Sequence, residues 1–177
     1  GRIQSKGTEA AEEGINEAVM REAVIMQMTW PGAPTVYYGD EAGVCGWTDP
    51  DNRRTYPWGH EDKQMLLFHK EAIRIHRNST ALCTGSYKML YTAWGILAYG
   101  RFDEKERYTV IVNNTQDTVN VAIPVWQIGV TDGSRMEQQL MSSSASFTKV
   151  PDIYVVTDGY LMIAMPKTSA VILKDIG

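Results

Sequence analysis

Cysteine and histidine are scarce in this chain, with two of the former and three of the latter among 177 residues. Cys45 and Cys83 show no metal-ligand spacing and leave open two free thiols or one disulfide, so the redox compartment stays undefined. His69 and His76 fall on one face of a predicted helix, ~10 Å apart at ~1.5 Å rise per residue, too far to share an ion. They and His60 read as surface residues, and neither a metal nor any other cofactor is expected. Long apolar runs are missing too: nothing approaches the ~20 residues that a membrane-spanning helix needs. The first 13 residues lack the apolar segment of a signal peptide. Positive charge is not in excess, with 17 Lys and Arg against 21 Asp and Glu and a net charge of -4. That balance speaks against a nucleic-acid partner, which needs clustered cations to neutralise phosphates.

What is present suits a globular chain of one ordinary domain or two small ones. Hydrophobic residues make up 44% and charged residues 21%, enough to build a core. Thr8 stands where a helix cap belongs, with Glu9, Glu12 and Glu13 after it and Ile15, Val19, Ala23 and Met26 at helical spacing. A helix over 9–28 is predicted, its apolar surface widened by Met20, Val24 and Ile25 so that neighbours are expected on more than one side, and stopped by Pro31-Gly32-Ala33-Pro34. Residues 35–38 (Thr-Val-Tyr-Tyr) read as a short strand buried on both faces, as in a parallel sheet, with Tyr37 and Tyr38 in the core. A loop follows to residue 60, then a helix over 61–77 with Met65, Phe68, Ala72 and Ile75 on its inner face. From about Thr80 the pattern changes to short strands at 87–90, 96–101, 108–113, 119–123, 146–149, 153–156, 160–164 and 170–173, an antiparallel sandwich.

The loop is the most informative stretch. Pro34-Thr35-Val36-Tyr37-Tyr38-Gly39-Asp40-Glu41 leads into Asp49-Pro50-Asp51-Asn52-Arg53-Arg54 and Pro57-Trp58. Carboxylates and guanidiniums bond sugar hydroxyls, while aromatic rings cover sugar faces. Asp40 and Glu41 are adjacent, so they point apart and do not pair as a glycosidase acid and nucleophile. Nothing nearby marks Asp49 or Asp51 as a protonated acid.

This run resembles the segment around the eighth barrel strand of the α-amylase family, glycoside hydrolase family 13, most of all its cyclomaltodextrinase and neopullulanase branch. Leu67-Phe68-His69-Lys70-Glu71-Ala72-Ile73-Arg74-Ile75-His76-Arg77 is similar to the last barrel helix of that family. Arg107-Tyr108-Thr109-Val110-Ile111-Val112-Asn113 is similar to the first hairpin of its C-terminal sandwich, and Ala170-Val171-Ile172-Leu173 to a closing strand. The likeness is detailed over 29–125 and at the end, weaker over 126–158.

The resemblance implies an α+β chain: the end of a (β/α)₈ barrel over 1–79, then a C-terminal antiparallel β-sandwich over 80–177. It implies retaining cleavage of α-glucosidic bonds in starch-derived oligosaccharides, cyclodextrins or pullulan by the parent protein. The family's three catalytic acids would lie upstream: Arg2-Ile3 fits the tail of the third acid's segment, but no His-Asp pair is present. The chain alone is then expected to be inert, with no catalytic residue of its own. Asp49 and Arg53 are expected to contact glucose in the donor subsites, or else merely to pin the loop. Trp47, where relatives carry glycine, either stacks on sugar or packs the loop. Tyr38 is expected to line the pocket floor, Arg54 to pair with a carboxylate, and Pro57-Trp58 to anchor the loop. Expected partners are an α-glucan, the upstream barrel of the same polypeptide and a second copy meeting the exposed barrel face, without nucleic acid or membrane. A carbohydrate-binding or structural sandwich module, or transglycosylation or isomerisation on the same barrel, are the competing readings.

Overall fold

Gly14 and Asn16 decide where the first long helix starts. In the computed structural model, which describes residues 2–177, Arg2–Lys6 forms helix α1 and Thr8–Ala11 a 3₁₀ turn. The continuous helix expected over 9–28 is therefore broken. Gly14 takes φ +78°, a left-handed conformation that does not continue a helix. Asn16 restarts it by accepting from the Ala18 and Val19 amides, and α2 runs Glu17–Thr29. Thr8 opens the turn rather than capping a helix. The expected apolar stripe divides: Ile15 and Val19 are 46% and 40% exposed, while Met26 packs against the core that Val24, Ile25 and Met28 enter.

Helix α3, Lys63–Arg77, follows its sequence pattern closely. Asp62 caps it through the Gln64 and Met65 amides, and Met65, Phe68, Ala72 and Ile75 are all buried. His69 is a correction: it is buried rather than on the surface, its Nδ1 3.0 Å from the Met65 carbonyl oxygen. His76 is likewise partly enclosed, against Met28. A short helix α4, Thr80–Thr84, capped by Ser79, leads into the strands.

Residues 35–38 are a second correction. They form no strand, the Asp40 amide closing a turn onto the Tyr37 carbonyl at 3.1 Å, and Tyr37 and Tyr38 are exposed rather than in a core. Among the described residues no strand lies beside them to take up their amides and carbonyls, so the sheet that their composition suits does not form.

All strand pairings are antiparallel. The strands are β1 Ser86–Ala93, β2 Ile96–Phe102, β3 Arg107–Asn113, β4 Val119–Ile123, β5 Arg135–Ser142, β6 Phe147–Thr148, β7 Ile153–Val155, β8 Leu161–Met165 and β9 Ser169–Asp175. A seven-stranded sheet runs β1-β2-β3-β9-β5-β6, with β7 also on β5, and β4-β8 form a separate ribbon. The eight strands expected after residue 80 all have counterparts; β5 is the added one.

Alternation along β3 and β9 builds two cores. Val110, Val112, Ala170 and Ile172 face α2 and α3, meeting Ile25, Met28, Phe68 and Leu82. Ile111, Val171 and Leu173 face the β4-β8 ribbon, meeting Val121, Ile123, Leu161 and Ile163. The helices thus cover one face of a sandwich and are fastened to it by polar contacts as well. Buried Arg101 on β2 donates to the carbonyls of Thr29 (2.8 Å), Gly85 (3.1 Å) and Ser86 (3.3 Å). Thr29 ends α2, where the helix dipole favours a cation. The fold is a barrel remnant of helices followed by an antiparallel β-sandwich.

Candidate functional site

The loop after residue 38 owes its shape to two glycines. Gly43, at φ +74°, leaves no room for a Cβ, which would sit 2.8 Å from the Asp62 Cβ. At Gly46 a Cβ would sit 2.7 Å from the Asn52 Cα, so the outgoing and returning limbs of the loop touch there. Beyond the second crossing the chain projects residues 47–52 toward solvent.

Hydrogen bonds hold this projection at its base. The Arg54 guanidinium donates to the Cys45 carbonyl at 2.9 Å, and the Tyr38 hydroxyl donates to the Arg54 carbonyl at 2.8 Å. Arg54 was expected to meet a carboxylate; it bonds a backbone oxygen instead, because the limb crossing brings Cys45 to it. The Ile3 amide donates to Asp51 Oδ2 at 2.9 Å, and the Arg2 guanidinium lies 4.0 Å from the Trp47 ring centre while pairing with Glu13. The start of the chain thereby braces the tip of the loop.

At that tip Asp49 and Arg53 form an ion pair at 3.4 Å, with side chains 73% and 64% exposed. An exposed pair of this kind contributes about 0–1 kcal/mol. Its polar atoms remain open to a ligand. Tyr37 and Tyr38 stack obliquely with ring centres 4.9 Å apart. Partial desolvation and Tyr38 raise the Tyr37 pKa, with Asp49 adding to the rise and Arg53 opposing it. One tyrosine pair and one Asp–Arg pair therefore share a neighbourhood.

A second aromatic pair, Tyr56 and Trp58, has ring centres 4.5 Å apart, and Trp58 is 80% exposed. Trp58 does not anchor the loop as expected, since nothing covers its outer face. The alternation Tyr56-Pro57-Trp58 outside any strand was the available sequence signal for it. Trp47 is half-exposed, with the Arg2 guanidinium over one face of its ring.

The neighbouring carboxyls are set in different surroundings. Burial raises the Asp40 pKa, with Glu41 adding to it and His69 opposing. Glu41 accepts from the Gly39 amide at 2.9 Å. Asp40 lines a hollow of about 580 Å³ with Ile15, Val19, Met20, Val44 and Met65, between α2 and the loop. Glu12, Cys45, Arg54 and His60 border a smaller, more polar cavity of about 310 Å³. No group of residues able to hold a metal ion is found among the described residues, and Cys45 and Cys83 are both free thiols.

No family model matches the chain. An amylopullulanase of Thermoanaerobacter thermohydrosulfuricus is 30% identical over 190 aligned positions, covering 97% of this chain and 12% of the relative. Neopullulanase 2 of Thermoactinomyces vulgaris is 35% identical over 66% of this chain and 20% of its own length. The chain thus spans a small part of the curated relatives it matches. An Anoxybacillus α-amylase structure superposes with a TM-score of 0.79 at 24% identity, over 96% of this chain and 35% of that one. A cyclomaltodextrinase structure gives 0.73 at 23% identity, over 93% and 27%. At such identities the superpositions speak for the fold alone. Taken with the loop motif and the sandwich, the alignments show that the chain belongs to the α-amylase family, glycoside hydrolase family 13, as a C-terminal part of a cyclomaltodextrinase-like member.

Proposed function

We propose that this chain is the C-terminal part of a retaining α-glucoside hydrolase acting on starch-derived oligosaccharides, cyclodextrins or pullulan. In this reading residues 1–79 close the catalytic barrel and residues 80–177 form the sandwich that braces it. Catalytic acids upstream stabilise an oxocarbenium-like transition state, and this chain alone is inert. The observation that carries the reading is the solvent-open Asp49–Arg53 pair beside Tyr37 and Tyr38. Its carboxylate accepts from sugar hydroxyls, its guanidinium donates to them as a fork, and the adjacent rings offer apolar cover. The relatives' names point to the same substrates.

The apolar hollow lined by Ile15, Val19 and Met20 fits the same proposal. In the longer polypeptide the rest of the barrel covers it; in the isolated chain a second copy does. The test of the site is Asp49→Ala and Arg53→Ala in the longer enzyme, assayed on cyclodextrin, pullulan and maltohexaose. A rise in KM or a fall in kcat/KM of about tenfold or more supports donor-subsite contact, since each removes charged hydrogen bonds to substrate. Unchanged constants on all three substrates would reduce the pair to a loop brace.

A further inference from the structure

His76 and Cys83 form a pair that the glucan reading does not use. His76 lies in the last turn of α3, and its Nδ1 is 2.8 Å from the Met28 carbonyl oxygen. A carbonyl only accepts, so Nδ1 carries the hydrogen and Nε2 keeps its lone pair. That Nε2 lies 3.7 Å from the Sγ of Cys83 on α4, and Cys83 is exposed. Nucleophile, base and a group orienting the base are therefore in place. The same sulfur is 3.2 Å from the His76 carbonyl oxygen, which takes the thiol hydrogen at rest. Rotation about Cβ–Sγ redirects that hydrogen to Nε2.

A fixed positive charge adds to the setting. Arg101 donates only to carbonyls and makes no ion pair among the described residues. Burial lowers its pKa, while Tyr99 and Cys83 act in the opposite direction, which places the thiol within its field.

We propose that Cys83, with His76 as its base, is a thiol-modification site that exchanges with low-molecular-weight disulfides. The Sγ proton passes to His76 Nε2 and the thiolate attacks one sulfur of the disulfide. A new S–S bond forms as the old one breaks, and the departing thiolate takes the proton back from the imidazolium. Cys83 is oxidised to a mixed disulfide, and the departing half of the reagent is reduced to a thiol.

The test uses the Cys45→Ser chain, in which Cys83 is the one thiol, and follows its reaction with 5,5′-dithiobis(2-nitrobenzoate) and with glutathione disulfide. A peptide of residues 78–88 is the unstructured reference. The folded chain is expected to react at least about tenfold faster than the peptide at pH 7, where a free thiol is only a few per cent ionised. Adding His76→Gln should remove most of that advantage and return the rate–pH profile to that of the peptide. A folded chain no faster than the peptide overturns the proposal, as does a folded His76→Gln variant with unchanged rate and profile. If His76→Gln fails to fold, the comparison of chain with peptide decides alone.

Discussion

Glu22 should make this chain less stable as pH rises toward neutrality. The residue sits on α2, 3% exposed, where its Oε2 accepts from Asn114 at 2.6 Å and its Oε1 has no partner. Burial raises its pKa to about 7 against the Asn114 hydrogen bond, which works to lower it. The folded state therefore holds this proton more tightly than the unfolded chain does. Its contribution is fully present below the ordinary glutamate value near 4.5 and is lost as pH climbs through about 7. At about 1.4 kcal/mol per pH unit the loss amounts to roughly 3 kcal/mol, as an order of magnitude. Glu22→Gln keeps an oxygen for Asn114 and cannot ionise. Unfolding free energies from urea titrations between pH 5 and 8.5 should fall for the natural chain relative to Glu22→Gln, by most of that amount at pH 8. Parallel curves across the range would refute the reasoning and mean that the carboxylate is solvated or paired in solution.

Other outcomes follow from the same packing. Phe68→Ala empties a fully buried site against Phe147, with ring centres 5.2 Å apart, and should cost about 3–5 kcal/mol in urea unfolding. Arg53→Ala, which breaks an exposed pair, should change stability by less than about 1 kcal/mol, so any effect on glucan handling is not a folding effect. Sedimentation velocity of the isolated chain should show concentration-dependent self-association that Val19→Glu abolishes, because Val19 lines the apolar hollow. A monomer at all concentrations would remove the second copy from the account.

Much of this was legible because the inward positions were filled by the expected residues. Met65, Phe68, Ala72 and Ile75 wrote the inner face of α3 directly, and the β-branched runs of β3 and β9 wrote the centre of the sheet. Strand β5 escaped because polar Gln138 and Ser142 alternate inward with Met136 and Leu140; Gln138 answers the Val150 carbonyl at 2.9 Å. The first helix was visible and Val24 and Ile25 belonged to its expected apolar surface, but the break at Gly14 was not visible. Its outward stripe of Ile15 and Val19 suits neighbours that this chain does not supply, and residues 35–38 lack a sheet for the same reason. Within the loop, Asp49 and Arg53 stood out through the family resemblance, and they form an exposed ion pair. The exposure of Tyr37, Tyr38 and Trp58 could not be read, since aromatic side chains read as core wherever long-range neighbours are unknown.

Glucose release from maltohexaose, cyclodextrin and pullulan tests the central claim most directly, with this 177-residue chain assayed beside the longer product of its gene. The account predicts hydrolysis by the longer protein and none by the chain alone. Hydrolysis by the chain itself would contradict it and place a catalytic carboxyl pair among Asp40, Glu41, Asp49 and Asp51.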